Sequence, residues 1–466
     1  MRCMPNSIDT DNVTIHHSAK PLIVLGVLAA VLHGVFLFLL VPALNHRVSP
    51  FYSQDGFMDG YDQIATNLVE GRGYRFYSDT GKTLMREPGY PVFVAGLYLA
   101  FGRAFTVVKL ANLFLAFLTA WMLTWFGRKV SNQLIMVVAP PLLFLFHPGT
   151  LIAESRGGVE ILFGCLIVLF MLVVYQAIEN NRWWYYLIAG AVLGLTVLVR
   201  STPLLFPVFL LAYLLLFERQ RIPKLASCRN IAVMVVAMVV VLSPWIIRNF
   251  KLTGRFVPTA SVLGVSAHAG QYICTHFSEG KPWVMLDRDA ALERSKLALE
   301  QGYHFKDTYY QAFYSAGDEL SFSSYLAKRV FTEYEKHPWL CAKCVAYNLF
   351  NFWFAGKSWV STGMNMAVQI PYLILAGIGT WVCVKNKRFP MIGPMVLFIV
   401  YVVAVYVPIL AQARYSVPLI PLLAILASIA LLHFRGRAWM GDRSTLVTAD
   451  QASPASALAV CGPEKQ

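Results

Sequence analysis

His46 to Arg103 reads HRVSPFYSQDGFMDGYDQIATNLVEGRGYRFYSDTGKTLMREPGYPVFVAGLYLAFGR, a polar stretch inside a chain that is otherwise mostly apolar. It carries carboxylates at Asp55, Asp59, Asp62 and Glu87, with Arg86 and several tyrosines among them. The run just before it, Pro21 to Leu44, is apolar and long enough to cross the ~30 Å of hydrocarbon in a bilayer. Carboxylates beside hydrocarbon need water, paired charge or a substrate to hold them. The region 44–104 is therefore read as the first external loop of a membrane protein, and as the first place to look for chemistry.

Composition agrees with that class. Hydrophobic residues make up 57% of the 466 and charged residues only 14%, with 31 Phe, 22 Tyr and 11 Trp, against ~25% charged in soluble domains. The mean hydropathy is +0.56. A net charge of +14 would suit nucleic acid if it lay on one polar face. Here the basic residues sit in short clusters between apolar runs, the pattern of the positive-inside rule and of anionic lipid headgroups. No nucleic-acid partner is expected.

The clusters Arg128-Lys129, Asn180 to Arg182, Arg219 to Arg229, Lys385 to Arg388 and Arg435 to Arg437 are placed on the cytoplasmic side. Spans then fall at 21–44, 105–127, 132–148, 158–178, 184–200, 202–218, 230–248, 367–384, 389–411 and 415–433. The first lacks a small-residue cleavage site and is read as a retained span. The organisation that follows is a cytoplasmic tail at 1–20, a membrane module at 21–248 that includes the 44–104 loop, an external region at 249–366, C-terminal spans at 367–433 and a cytoplasmic tail at 434–466. Pro88 to Gly102 is short for a span and is read as a helix at the external interface. His337 to Trp359, rich in aromatic residues, is read the same way, with two further spans as the alternative. Asp287 to Asp318 has helical spacing and mixed charge, so a small helical subdomain is expected there. The fold class is all-α and polytopic, with about ten to twelve transmembrane helices.

Tyr61 to Leu68 reads as a short helix ending at Gly71-Arg72-Gly73. One acidic residue at its start could be a cap, but three aspartates in eight residues exceed what a cap needs. Arg86-Glu87 before Pro88 is either a simple interfacial ion pair or part of a site. Glu160 lies near the external end of its span, where an ionisable group is costly unless paired or functional. Arg200, Arg248 and Arg414 all fall at the external face. Singly each could snorkel to headgroups, but together they suit a phosphate whose lipid tail lies in the bilayer. No metal-ligand spacing, phosphate-binding loop, nucleophile elbow or dinucleotide fingerprint is present. Eight cysteines are scattered, and the one close pair, Cys341 and Cys344, is weak evidence for redox or metal work.

Six strings in order, YDQIATNLVEGRGY (61–74), REPGYPVFVAGLYLAFG (86–102), HPGTLIAESRGGVEILF (147–163), AGAVLGLTVLVRSTPLL (189–205), SPWIIRNFKLTGRFVPTASVLG (243–264) and ARYSVPLIP (413–421), resemble the GT-C membrane glycosyltransferases. The likeness is to the branch similar to dolichyl-phosphate-mannose protein mannosyltransferases and the aminoarabinose transferase of lipid A. The resemblance implies a GT-C-like bundle with external juxtamembrane helices and a polyprenyl-phosphate sugar as donor. It also implies an inverting hexosyl or pentosyl transfer, metal-independent or weakly metal-dependent, with a catalytic aspartate in the first external loop. No cofactor or bound metal is expected.

Relatives keep that aspartate four residues before the tyrosine matching Tyr61, where this chain has Phe57. Asp59 and Asp55 flank the position, and Asp59 is taken first because it starts the helix. Tyr61, Arg86, Glu87, Glu160, Arg200, Arg248, Arg414 and Tyr415 are the expected substrate-binding residues. The resemblance further implies a glycan, lipid or protein acceptor and a site facing outward from a bacterial inner membrane. A lipid or solute transporter is the non-enzymatic alternative, and a polymerase or ligase using an undecaprenyl-diphosphate donor the enzymatic one. Polar residues gathered at one face, rather than at broken helices near the midplane, favour the enzyme.

Overall fold

The computed structural model describes residues 19–40 and 59–435, with side chains from residue 26 onward. Asp55 and nearly all of the two tails lie outside the described residues. Helix α1 (Ala19–Val35) runs into a π-helical turn at Phe36–Leu40 and belongs to a unit of its own, Met1–Ser53.

In the second unit α2 (Tyr61–Val69) follows a left-handed turn, and α3 (Gly89–Phe101) follows Pro88. At 13 residues α3 is ~20 Å long, too short to span. It buries Tyr90, Val94 and Tyr98 and leaves Val92, Leu99 and Phe101 exposed, as an interfacial helix requires. Helix α4 (Phe105–Val130) is 26 residues, ~39 Å at 1.5 Å per residue, with Arg128 and Lys129 in its last turn where the helix dipole favours cations.

Next come α5 (Leu134–Leu145) and α6 (Pro148–Ser155), bent by 50° at the break between them. Pro140 and Pro141 weaken α5, and the His147 Nδ1 accepts from the Gly149 N–H at 3.0 Å to restart the helix. Then follow α7 (Val159–Asn180), α8 (Trp183–Val199), α9 (Phe206–Phe217) and α10 (Lys224–Thr253). Helices α8 and α10 approach closely because Gly190 and Gly194 face the second helix. A Cβ at Gly190 would run into the Met234 carbonyl, and one at Gly194 would lie 2.7 Å from the Val241 Cβ, so small residues set the spacing.

Over these lie α11 (Leu263–His276), α12 (Trp283–Glu300), α13 (Ala316–Lys336) and α14 (Pro338–Phe354), followed by α15 (Trp359–Lys385), α16 (Phe389–Tyr406) and α17 (Ile420–Phe434). The stretch 287–318, read as a small helical subdomain, holds most of α12 and the start of α13. Gly302, at φ 76°, closes α12, and the aromatic side chains of Tyr303, Phe305 and Phe313 fold the connection against Phe322 before Ser315 caps α13 through the Gly317 N–H.

By length and composition six stretches of the described residues can cross a membrane: α4, α7, α10, α15, α16 and Ala413–Phe434. The bent α5–α6 pair passes the same test as one span, and Gly26–Leu40, Gly89–Phe101, Trp183–Val199 and Thr202–Phe217 are shorter apolar helices. All of these but Gly89–Phe101 fall on a span read from the sequence, and the chain is a multi-pass integral membrane protein. The loops placed on the cytoplasmic side meet: Asn230 Nδ2 donates to Asn181 Oδ1 at 3.1 Å, and Arg221 lies 3.8 Å from Glu179. Sidedness is tested by single cysteines in a cysteine-depleted chain. Those at Ser78 and Lys281 should react with a membrane-impermeant thiol reagent in intact spheroplasts, and those at Gln220 and Asn386 should not. The opposite pattern inverts the topology.

One buried carboxylate ties the first loop to the later region. Glu319, 3% exposed on α13, accepts from Thr83 Oγ1 at 2.7 Å, from the Leu84 N–H at 2.9 Å and from Ser261 Oγ at 2.5 Å. Burial pushes its carboxyl up, and these three donors work against that rise. Glu319→Ala strands buried donors, each costing about 1–3 kcal/mol, and should lower the melting temperature of the detergent-solubilised protein far more than Glu319→Gln, which keeps an acceptor. Equal melting of the two variants would remove the carboxylate from the loop's stability.

Candidate active site

Asp59 sits at φ 50° and Gly60 at φ 84°. The left-handed region is uncommon for a residue with a side chain, and strain of this kind gathers at functional positions. Gly60 has no alternative, since a Cβ there would lie 2.5 Å from Phe76 Cε1. The Asp59 carboxylate forms an ion pair with Arg414, and its carbonyl accepts from Arg86 Nε at 3.2 Å. Residues 355 apart in sequence thus share one bond. Burial works to raise the Asp59 carboxyl, but Arg414, Arg86 and Arg200 together outweigh it and hold the group below the usual carboxylate range.

Arg414 belongs to a 3-10 turn, Ala413–Leu419, that leads into α17. The ring of Tyr415 lies under both Arg414 and Arg200, with guanidinium carbons 5.4 and 5.0 Å from its centroid, and stacks on Tyr406 at 4.6 Å. Arg200, at the C-terminal end of α8, pairs with Glu160 at 3.2 Å and donates to the Tyr406 hydroxyl at 3.3 Å. The ends of α7, α8, α16 and α17 therefore meet at one place. Arg86 lies 5.7 Å over the Tyr61 ring, which is edge-on to Tyr90. Arg86 pairs directly with no carboxylate among the described residues. Three guanidinium groups thus stand with two directly paired carboxylates, an arrangement suited to an anion.

Other expected site residues are placed differently. Glu87, 7% exposed, accepts from the Ser201 N–H at 3.1 Å, so it fixes the chain beside Arg200. Arg248 does not join the cluster. It donates to the Thr83 carbonyl at 3.0 Å and lies 4.3 Å over Trp245 and 5.1 Å over Tyr74. Its place at the end of an apolar helix resembles those of Arg200 and Arg414 in sequence, but α10 turns it toward the first loop's underside. Asp62 is held by the Tyr98 hydroxyl and by Arg103, both at 2.6 Å.

The structure adds residues not singled out in the sequence. Asp287 on α12 is electrostatically coupled to Asp59, Arg414 and Arg294, and the Tyr309 hydroxyl is 3.5 Å from its Oδ2. Burial pushes the Asp287 carboxyl up; Arg294 and Arg414 oppose the rise and Asp59 adds to it. Arg294, 5% exposed, is held by Gln311 Oε1 at 2.9 Å. The loop from Asp307 to Gln311 lies against the Asp59–Gly60 turn, where Tyr310 stacks on Phe76 at 5.3 Å. The one available signal was the seven-residue spacing of Asp287 and Arg294, which puts both on one helix face. Among the described residues no three His, Cys, Asp or Glu side chains are grouped to hold a metal ion.

This helical membrane architecture, with polar residues collected where helix ends meet the helices packed over them, has the GT-C-like fold expected from the sequence. Residues 86–247 match the family model described as dolichyl-phosphate-mannose-protein mannosyltransferase. A similar solved structure is the archaeal oligosaccharyltransferase AglB from Archaeoglobus fulgidus in complex with an inhibitory peptide and a dolichol-phosphate, at 12% identity and TM-score 0.52 over 96% of this chain and 53% of that one. Others are an Archaeoglobus fulgidus oligosaccharyltransferase tethered to an acceptor peptide containing the NVT sequon (13%, TM-score 0.47, 90% and 50% covered) and ArnT from Cupriavidus metallidurans bound to undecaprenyl phosphate (12%, TM-score 0.42, 89% and 78% covered). The chain spans about half the length of these oligosaccharyltransferases. No curated protein matches its sequence.

Proposed function

We propose that this protein transfers a sugar from a polyprenyl-phosphate-linked donor to an acceptor at the external face of a bacterial inner membrane. The observation that carries the reading is the convergence of Asp59 with Arg86, Arg200 and Arg414. In the step, an acceptor hydroxyl or amine attacks the anomeric carbon and the bond from that carbon to the phosphate oxygen breaks. The acceptor proton passes to the Asp59 carboxylate, and the electron pair leaves with the polyprenyl phosphate, which gains a negative charge. Guanidinium groups already in place stabilise a charge that grows in the transition state, while Asp59 serves as base. Tyr61 and Tyr415 hold Arg86 and the Arg200–Arg414 pair in position, Glu160 orients Arg200, and Glu87 fixes the backbone beside it. The family match over residues 86–247 supports a lipid-linked donor.

The test is transfer by purified protein in detergent, from polyprenyl-phosphate sugars to candidate glycan, lipid and peptide acceptors, without nucleotide or membrane gradient. Product under these conditions separates the enzyme from a transporter, which needs two compartments. A folded protein that yields no product from any monophosphate donor, but does so from undecaprenyl-diphosphate sugars, would move the assignment to a polymerase or ligase.

A further inference from the structure

His147 to Thr150, the HPGT turn where α5 breaks from α6, takes no part in the proposed transfer, yet its buried groups lead to the arginine cluster. His147 accepts from the Gly149 N–H through Nδ1, so the neutral ring carries its proton on Nε2. The side chain of Gln369, on α15, lies within hydrogen-bonding reach of that ring. His147 and Gln369 are 3% and 4% exposed, and the atoms that they leave over are His147 Nε2 and Gln369 Oε1. One is a donor and the other an acceptor. Each meets the need of the other, in a place where an unmet polar group is costly.

From Gln369 the chain of bonds runs one way. Its Nε2 donates to Ser416 Oγ at 3.2 Å, and Ser416 Oγ donates to the Ala413 carbonyl at 2.8 Å. Turning the Gln369 amide over would set two donors against each other at His147 and ask Ser416 for a proton already given to Ala413. A single orientation therefore satisfies every member. Packing runs alongside. A Cβ on Gly149 would lie 3.2 Å from Val417 Cγ2, so the turn at the break sits against the 3-10 turn. The His147 ring stands edge-on to Tyr372 at 4.8 Å, and the Tyr372 hydroxyl donates to the Leu143 carbonyl at 2.8 Å. Gln369 and Tyr372, three residues apart, share one face of α15.

The bonds end on the Ala413–Leu419 turn, in which Arg414 follows Ala413 directly. Arg414 is otherwise tied by its ion pair with Asp59. In the proposed step Asp59 takes up a proton and loses the charge that makes this pair, so a hold that does not pass through Asp59 is needed. We propose that His147, acting through Gln369 and Ser416, is a positioning residue that fixes this turn and keeps Arg414 on the donor phosphate while Asp59 is neutralised. The coupling of the helix break to the turn stands on the hydrogen bonds alone. Its use in donor binding rests on the transfer reading above.

His147→Asn separates the two duties of the residue, because asparagine keeps a helix cap for the Gly149 N–H but is too short to reach Gln369. Gln369→Leu removes the middle link. The full-length protein is labelled with 3-fluorotyrosine and read by 19F NMR in detergent without ligand, with the Tyr415 signal assigned by its loss in Tyr415→Phe. Each variant should shift that signal, and the double variant should shift it no further than Gln369→Leu alone, since members of one network are not additive. An unmoved signal from Tyr186, at the opposite end of α8 from Arg200, is the measure of intact folding. In the transfer assay each variant should raise the donor KM about three- to tenfold, the effect of losing one neutral hydrogen bond. The double variant should match the single ones, and the acceptor KM should not change. A Tyr415 signal unmoved by both substitutions, or shifts that add in the double variant, would overturn the coupling. An unchanged donor KM, or donor and acceptor KM rising together, would overturn the positioning role. A coupled Tyr415 signal in a protein that transfers nothing would sink the proposed reaction and not the coupling.

Discussion

Asp59→Asn should insert and fold normally while losing about 10²- to 10⁴-fold in transfer rate, the range general acid–base catalysis supplies. The amide is close in shape but cannot take a proton. Because the arginines hold the Asp59 carboxyl below its ordinary value of 3.8, the group stays ionised from pH 5.5 to pH 8. The sign follows: a depressed carboxyl keeps its charge until pH falls through the lowered value, so the loss should be the same at both ends of that window. Single-turnover rates of the two proteins across the range check it. Full activity in Asp59→Asn with loss in Asp55→Asn would transfer the role to Asp55; full activity in both would remove the carboxylate mechanism.

Arg86→Lys should raise the apparent KM for the lipid donor about ten- to a hundredfold, in line with the ~1.5–3 kcal/mol of a hydrogen bond to a charged group. Lysine keeps the charge but not the planar fork that grips a phosphate through two nitrogens. Arg248→Lys is the internal comparison. Its guanidinium is spent on the Thr83 carbonyl and the faces of Trp245 and Tyr74, so this variant should lower thermal stability and leave the donor KM within about threefold, the effect of a change outside the site. Equal KM changes in the two variants would mean that the arginines act through the general field rather than by contact.

The contrast between these two arginines shows what the sequence could and could not disclose. Hydropathy reports depth along a membrane-spanning helix. It located the ten apolar stretches and put Glu160, Arg200 and Arg414 near one face, where they do meet. It does not report which way a helix is turned about its axis or where it stops, and Arg200 caps its helix whereas Arg248 lies inside one that runs on to Thr253. The start of α2 was legible because Gly71 and Gly73, at φ 73° and 82°, mark its end and the aspartates its beginning. Glu319 was not, since it acts through Thr83 and Leu84 on a loop more than two hundred residues away, and Asp287 showed only its spacing to Arg294 and nothing of its neighbourhood with Asp59. In a helix of mixed charge, one face of carboxylates looks the same whether it meets water or a buried neighbour.

The three bonds to Glu319 also impose an order of events on the growing chain. Thr83 and Glu319 are 236 residues apart, so the first loop is made long before the carboxylate that fastens it. At synthesis rates of ~5–20 residues per second the interval is about ten to fifty seconds. For that time the stretch bearing Asp59 and Arg86 lacks its latch. A ribosome that stalls anywhere before α13 leaves it without all three of these bonds.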